Sequence, residues 1–268
     1  MSADTPYSAP GAWWAGPERV YQSLSRGALA EHASDLSGRL VLDLGAGVGA
    51  TSRVVSEAGG RPVALDASWS MLHHRRRWRP PAVAADACVL PFGDRTMGAT
   101  VAAFVLSHVG DPVAMLREGG RVTTPGGVVV AVSFARTETR PAVAGIVDDL
   151  LTSRGWVPPP WFRRMKDEQE PMVADPARLE SMALAAGLRS PVVATRRIDT
   201  GIEDPGDLVA WRLGSPASAS FLAALPDAER RMLRDEAVQR LGSSPQPLVL
   251  ELRVLSSRAA AARRSASA

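Results

Sequence analysis

The run Val41-Leu42-Asp43-Leu44-Gly45-Ala46-Gly47-Val48-Gly49 decides the reading of this chain. A short apolar strand enters a loop with glycine at every second position. Residues 50–58 then read as a helix stopped by Gly59-Gly60. Glycines are needed where a chain turns sharply or where a ligand touches backbone. The helix behind them offers free N–H groups to a carboxylate or phosphate. Asp66 closes the next apolar run, 62–66, where a carboxylate can accept both hydroxyls of a ribose. An aspartate inside or closing an apolar strand needs a partner, because its burial is otherwise costly.

Working outward, residues 17–33 read as an N-terminal helix, with Pro17 in its first turn and Tyr21, Leu24 and Ala28 at helical spacing. Ser68 can cap a helix carrying Trp69, Leu72, His73 and Arg76. Residues 82–85, 99–106 and 128–134 read as further strands, and the almost wholly apolar 99–106 predicts burial on both faces. Asp111 and Pro112 start another helix. Strands alternating with helices imply an α/β fold with a parallel sheet. Beyond it, 141–154 and 175–186 look helical, 191–198 and 247–255 look like strands, and 207–240 reads as two or three helices. The proline-rich stretch 155–162 predicts neither regular helix nor central strand.

A nicotinamide or flavin site would want G-x-G-x-x-G. Here the glycines fall at Gly45, Gly47 and Gly49, with Asp43 just before them. Asp86-Ala87 closes the third strand, followed by Leu90-Pro91-Phe92. Phe104-Val105-Leu106-Ser107-His108-Val109 closes the fourth, and Arg121-Val122-Thr123-Thr124-Pro125-Gly126-Gly127 precedes the fifth. In this order, over residues 37–134, the motifs resemble the class I S-adenosylmethionine-dependent methyltransferases, in their ubiquinone/menaquinone-type small-molecule branch. The chain departs from that pattern at Met97-Gly98, Gly119-Gly120 and Thr124.

The resemblance implies a Rossmann-like, seven-stranded, mostly parallel sheet flanked by helices, with the last two strands as an edge hairpin and a helical substrate lid. It implies a helical cap over 1–35, a cofactor-binding core over 36–135, a lid over 136–180, the rest of the sheet with inserted helices over 181–256, and a disordered tail over 257–268. It places Asp43, Gly45, Ala46 and Gly47 at the methionine end of S-adenosyl-L-methionine, with Gly49 letting the helix pack closely. Asp66 would hold the ribose, Ala67 and Met71 the faces of the adenine, and Asp86 and Ala87 its edge. Phe104, Leu106 and Val109 would lie near the sulfonium; sheet core is an equal reading of Phe104 and Leu106.

Methyl transfer from a sulfonium needs alignment above all, and a base where the acceptor must lose a proton. His108, after the fourth strand, is the candidate base, against simple packing on the cofactor. Tyr21 is a second polar candidate, against amphipathic packing. Trp13, Trp14, Trp156, Trp161 and Phe162 crowd two segments outside the core pattern and predict an aromatic substrate wall, against a structural role in holding the cap. The expected activity is methylation, at carbon or at oxygen or nitrogen, of a hydrophobic indole- or quinone-like molecule in specialised metabolism. The alternatives are RNA methylation, a non-methylating protein of this fold such as a cyclase, and a dinucleotide oxidoreductase.

Composition bounds the rest. The 268 residues carry a net charge of only +3, which argues against a nucleic-acid partner despite the run His73-His74-Arg75-Arg76-Arg77-Trp78-Arg79, more simply a solvated helix face. One cysteine, Cys88, excludes an internal disulfide or a cysteine-rich metal site, and adjacent His73 and His74 diverge on a helix, so no metal is expected. No apolar run is long enough to span a bilayer and the start has no secretory pattern, so a cytoplasmic monomer or homodimer without membrane contact is expected.

Overall fold

A computed structural model describes residues 15–74, 79–137 and 140–260. Seven strands form one sheet: β1 Leu40–Leu44, β2 Arg61–Asp66, β3 Ala82–Ala84, β4 Ala99–Ala103, β5 Val128–Phe134, β6 Arg189–Asp199 and β7 Val249–Arg258. Their order is β3-β2-β1-β4-β5-β7-β6. Strands β1 to β5 run parallel, and β7 is antiparallel to both β5 and β6. This is the Rossmann-like sheet with an edge hairpin that the motifs imply. All five residues of β4 are buried, as a central parallel strand requires. Strand β6 alternates between partly buried and exposed positions and carries Arg189, Arg196 and Arg197 on the open edge, charges that discourage pairing with another chain.

The helices are α1 Ala15–Leu29, α2 Ala33–Leu36, α3 Ala50–Glu57, α4 Trp69–His73, α5 Pro112–Val122, α6 Ala142–Ser153, α7 Pro160–Arg164, α8 Glu170–Ala174, α9 Pro176–Ala185, α10 Pro205–Leu213, α11 Pro216–Ala224 and α12 Asp227–Leu241. Four start at a polar residue followed by proline. Asp111, Asp175, Asp204 and Ser215 each accept a bond from the first turn of α5, α9, α10 and α11, and the proline fills the first helical position. Alternation along the strands divides the core. Val41, Val101, Val130 and Val132 face a layer that includes Val20, Leu24, Val147, Leu208 and Leu233. Leu42, Leu44, Val129 and Ala131 face Met115, Leu116, Leu179 and Ala183.

Four expectations are corrected. Strand β4 stops at Ala103, because Phe104 turns into the left-handed region at φ 61° and Leu106–His108 forms a tight helical turn. The stretch 155–162 is not irregular throughout. Pro160 opens α7, where its missing N–H is harmless, and one wide turn over Met165–Gln169 leads into α8. Strand β7 runs to Arg258 with Ser257 and Ala259 buried, so residues 257–258 belong to the sheet and not to a tail. The solvated reading of the basic run fails at Arg79, which turns inward; α4 ends at His73, and Arg75–Trp78 lie outside the described residues.

Candidate active site

Chain order reverses between β1 and β4: β1 continues to β2 on one side, β4 to β5 on the other. Loops leaving such a pair diverge and open a crevice at the carboxyl ends of the strands. The loop after β1 holds Gly45, Gly47 and Gly49 at φ 68°, 54° and 93°. At Gly45 a Cβ would stand 2.4 Å from Val105 Cγ2, so glycine is demanded by both the turn and the approach of the β4 tip. Gly49 is the N-cap of α3.

Two carboxylates hold this loop. Asp66 Oδ2 accepts from the Gly47 N–H at 2.8 Å and Oδ1 from the Ser68 N–H at 2.7 Å. Burial raises its pKa, while those bonds and the nearby Arg79 oppose the rise. Asp43 is only 1% exposed; its Oδ2 accepts from Ser52 Oγ at 2.6 Å. Burial pushes its carboxyl up to about 7. Through Ser52 this carboxylate is tied to the first turn of α3.

Around this centre, Met71 is buried, with its Cε 3.3 Å from where a Cβ on Gly47 would lie, and Ala67 is exposed at the rim. Ala46 donates its N–H to Leu65 O at 3.0 Å and packs with Ala64 and Leu72. Asp86 is exposed and folds the end of β3 by accepting from the Cys88 N–H at 2.8 Å; Ala87 beside it is buried. Leu106 follows the second of its two readings: at 1% exposure it packs in the core with Met115 and Leu116. Val109 is half-buried against that same cluster. The motif comparison missed Val105 and Arg79, since nothing local to either marks a contact with the loop.

Across the tip of β4 lies an aromatic patch. Phe104 packs on Tyr21 at 5.1 Å and on Phe134 at 4.9 Å between ring centroids. Burial, then the Glu170 carboxylate, pushes the Tyr21 phenol up to about 12, with Arg212 opposing, so it stays protonated at neutral pH. His108 is exposed at the rim. Neighbouring protein that displaces solvent from one side of the ring, and then the Lys166 ammonium, hold its imidazole below the ordinary 6.5, hence neutral at pH 7. Lys166 Nζ pairs with Glu170 Oε1 at 2.5 Å and lies 5.6 Å from the Phe162 ring centroid. Trp161 meets Phe162 edge-on at 5.7 Å. Trp156 is instead a core residue, 6% exposed, with Nε1 donating to Ala217 O at 3.2 Å. Trp13 and Trp14 lie outside the described residues. Among the described residues, no three His, Cys, Asp or Glu side chains gather to hold a metal ion, and no helix is long and apolar enough to cross a membrane.

Residues 42–131 match the family described as a methyltransferase domain. A demethylmenaquinone methyltransferase of Renibacterium salmoninarum is 42% identical over 100 residues, covering 37% of this chain and 42% of that relative. The Corynebacterium kroppenstedtii demethylmenaquinone methyltransferase is 38% identical over 114 residues, covering 42% of this chain and 49% of that relative. The chain thus spans about half the length of the curated relatives it matches. Two solved structures share the fold. The YcgJ protein of Bacillus subtilis has a TM-score of 0.52 at 18% identity, covering 89% of this chain and 99% of that one. The [4+2]-cyclase SpnF has a TM-score of 0.53 at 17% identity, covering 90% and 82%.

Proposed function

We propose that the chain binds S-adenosyl-L-methionine at the tips of β1, β2 and β4 and methylates a hydrophobic small molecule with an aromatic, quinone-like ring. One observation carries this reading: the glycine loop and the aromatic patch meet at the tip of β4. Val105 presses on Gly45 while its neighbour Phe104 packs on Tyr21 and Phe134. The name of the sequence relatives adds support for a quinone-like acceptor.

The residues fit this cofactor. Both Asp66 oxygens keep lone pairs free beyond their backbone bonds, as two ribose hydroxyls require. The positive φ of Gly45 and Gly47 bares backbone where a side chain would intrude. In this reading Asp43, Gly45, Ala46 and Gly47 line the amino-acid end, Gly49 lets α3 pack closely, and Asp66 takes the ribose. Ala67, Met71, Asp86 and Ala87 surround the base; Phe104 and Val109 border the reacting end. When bound, the sulfonium supplies an electrophilic methyl group that is transferred by direct displacement.

The protein's task is alignment and exclusion of water. Holding the acceptor in register supplies about 7–11 kcal/mol of barrier reduction. Phe104 and Phe134 offer faces for a flat ring. Tyr21, fixed in its protonated form, donates to an acceptor oxygen. His108, neutral at pH 7, receives the proton that a hydroxyl or ring carbon must lose. Helices α7 and α8, with Trp161 and Phe162, act as the lid.

The test is calorimetric titration with S-adenosylhomocysteine, then incubation with methyl-labelled cofactor and hydroxylated naphthalene and indole acceptors. Mass spectrometry reads one added methyl. Absence of S-adenosylhomocysteine binding refutes the cofactor site. Binding without methylation of any acceptor refutes the transferase reading.

A further inference from the structure

Gly47 is gripped on both sides. Its N–H goes to Asp66 Oδ2, and its carbonyl accepts from Arg79 Nη1 at 2.7 Å. The same guanidinium reaches the end of α4, donating from Nη2 to Met71 O at 2.5 Å and to His74 O at 2.9 Å. Arg79 thereby ties the glycine loop to α4, two walls of one crevice, through three carbonyls that would otherwise crowd partial negative charge. Its Nε is buried with no acceptor among the described residues.

We propose that Arg79 is a positioning residue for the cofactor crevice, presetting the Gly47 loop against α4 and keeping a positive charge beside Asp66. Resting on the cofactor reading above, this adds a residue that lies outside the glycine and aspartate motifs. The charges concerned come from every neighbouring element: Asp43 on β1, Asp66 on β2, Glu18 on α1, and the imidazoles of His73 and His74 at the end of α4. Asp66 must be ionised to accept two hydroxyls. Burial disfavours that form and Arg79 favours it, so loss of Arg79 raises the pH at which binding fails. A lysine keeps the charge but lacks the planar fork that spans three carbonyls.

The experiment titrates full-length wild type, Arg79→Met and Arg79→Lys with S-adenosylhomocysteine by calorimetry from pH 5.5 to pH 8.5, beside melting curves. Arg79→Met is expected to melt as a folded protein, to bind about 10- to 100-fold more weakly at pH 7, and to lose binding on the acid side at a higher pH than wild type. Arg79→Lys is expected to keep the wild-type acid limb while binding about 10-fold more weakly. Wild-type affinity and limb in Arg79→Met overturn the proposal. So does an Arg79→Lys variant that binds like wild type, which decides the matter even if Arg79→Met does not fold. No binding by wild type refutes the cofactor reading itself, a distinct result.

Discussion

Replacing Gly45 by alanine tests how the crevice is built. The residue sits at φ 68°, and a Cβ there would lie 2.4 Å from Val105 Cγ2 and 2.6 Å from Val105 Cβ. The left-handed backbone costs a non-glycine residue about 1–2 kcal/mol. Forcing an atom into packed space costs about 1–3 kcal/mol more. Together Gly45→Ala should lose about 2–5 kcal/mol, a fall in melting temperature of roughly 4–10 °C for a chain of this size. The two parts separate in a double-mutant cycle. Val105→Gly removes every side-chain atom that the new Cβ would meet, so the pair should recover the packing part, about 1–3 kcal/mol, and keep the backbone part. Urea denaturation of the four proteins measures both. Gly45→Ala as stable as wild type, or a cycle with no coupling, would refute the claim that the β4 tip dictates glycine at this position.

Three further outcomes follow from individual groups. Asp43 has a folded pKa raised from 3.8 to about 7, so the folded chain holds its proton more tightly than the unfolded chain. That contribution to stability is complete below 3.8 and lost as pH rises through 7, at up to about 1.4 kcal/mol per unit. Asp43→Asn should therefore gain melting temperature relative to wild type between pH 5 and pH 8, and a growing deficit over that range would contradict the sign. Lys166→Gln removes the ammonium that depresses His108, so the histidine titration, followed by NMR of its ring protons, should move to higher pH. Asp175 accepts from Ala177 N–H at 2.8 Å and Arg178 N–H at 3.1 Å, and Asp175→Ala should cost about 0.5–2 kcal/mol in denaturant titration.

The glycine loop, its flanking strands and Asp66 were legible in sequence because they are local demands of the backbone. A tight turn admits only glycine, and a carboxylate closing an apolar strand needs donors nearby. The helix starts at Asp111 and Asp175 were legible for the same reason, whereas those at Asp204 and Ser215 and the helices within 160–174 were not. What stayed hidden depends on contacts distant in the chain. Arg79 read as one member of a basic run, because only the folded chain brings it 32 positions back to Gly47. Trp156 read as a wall residue, because its partner Ala217 lies 61 positions away. Leu106 followed the family motif, whereas the left-handed turn at Phe104 rotates the following residues so that Leu106 enters the core.

The β6–β7 hairpin has a consequence for how this architecture can diversify. Its pairing is continuous to the open end, where Asp199 stands opposite Val249, yet three helices intervene between those two residues. The excursion departs and returns at adjacent points. Loop-closure entropy grows only slowly with length, so helices there can be lengthened, exchanged or deleted with little strain on the ladder. Helix α10 packs on α1 and α6 and α12 packs on α6, and the whole excursion lies outside residues 42–131. Grafting foreign helices between these paired ends offers a way to recast that flank of the molecule while the nucleoside-facing half stays as it is.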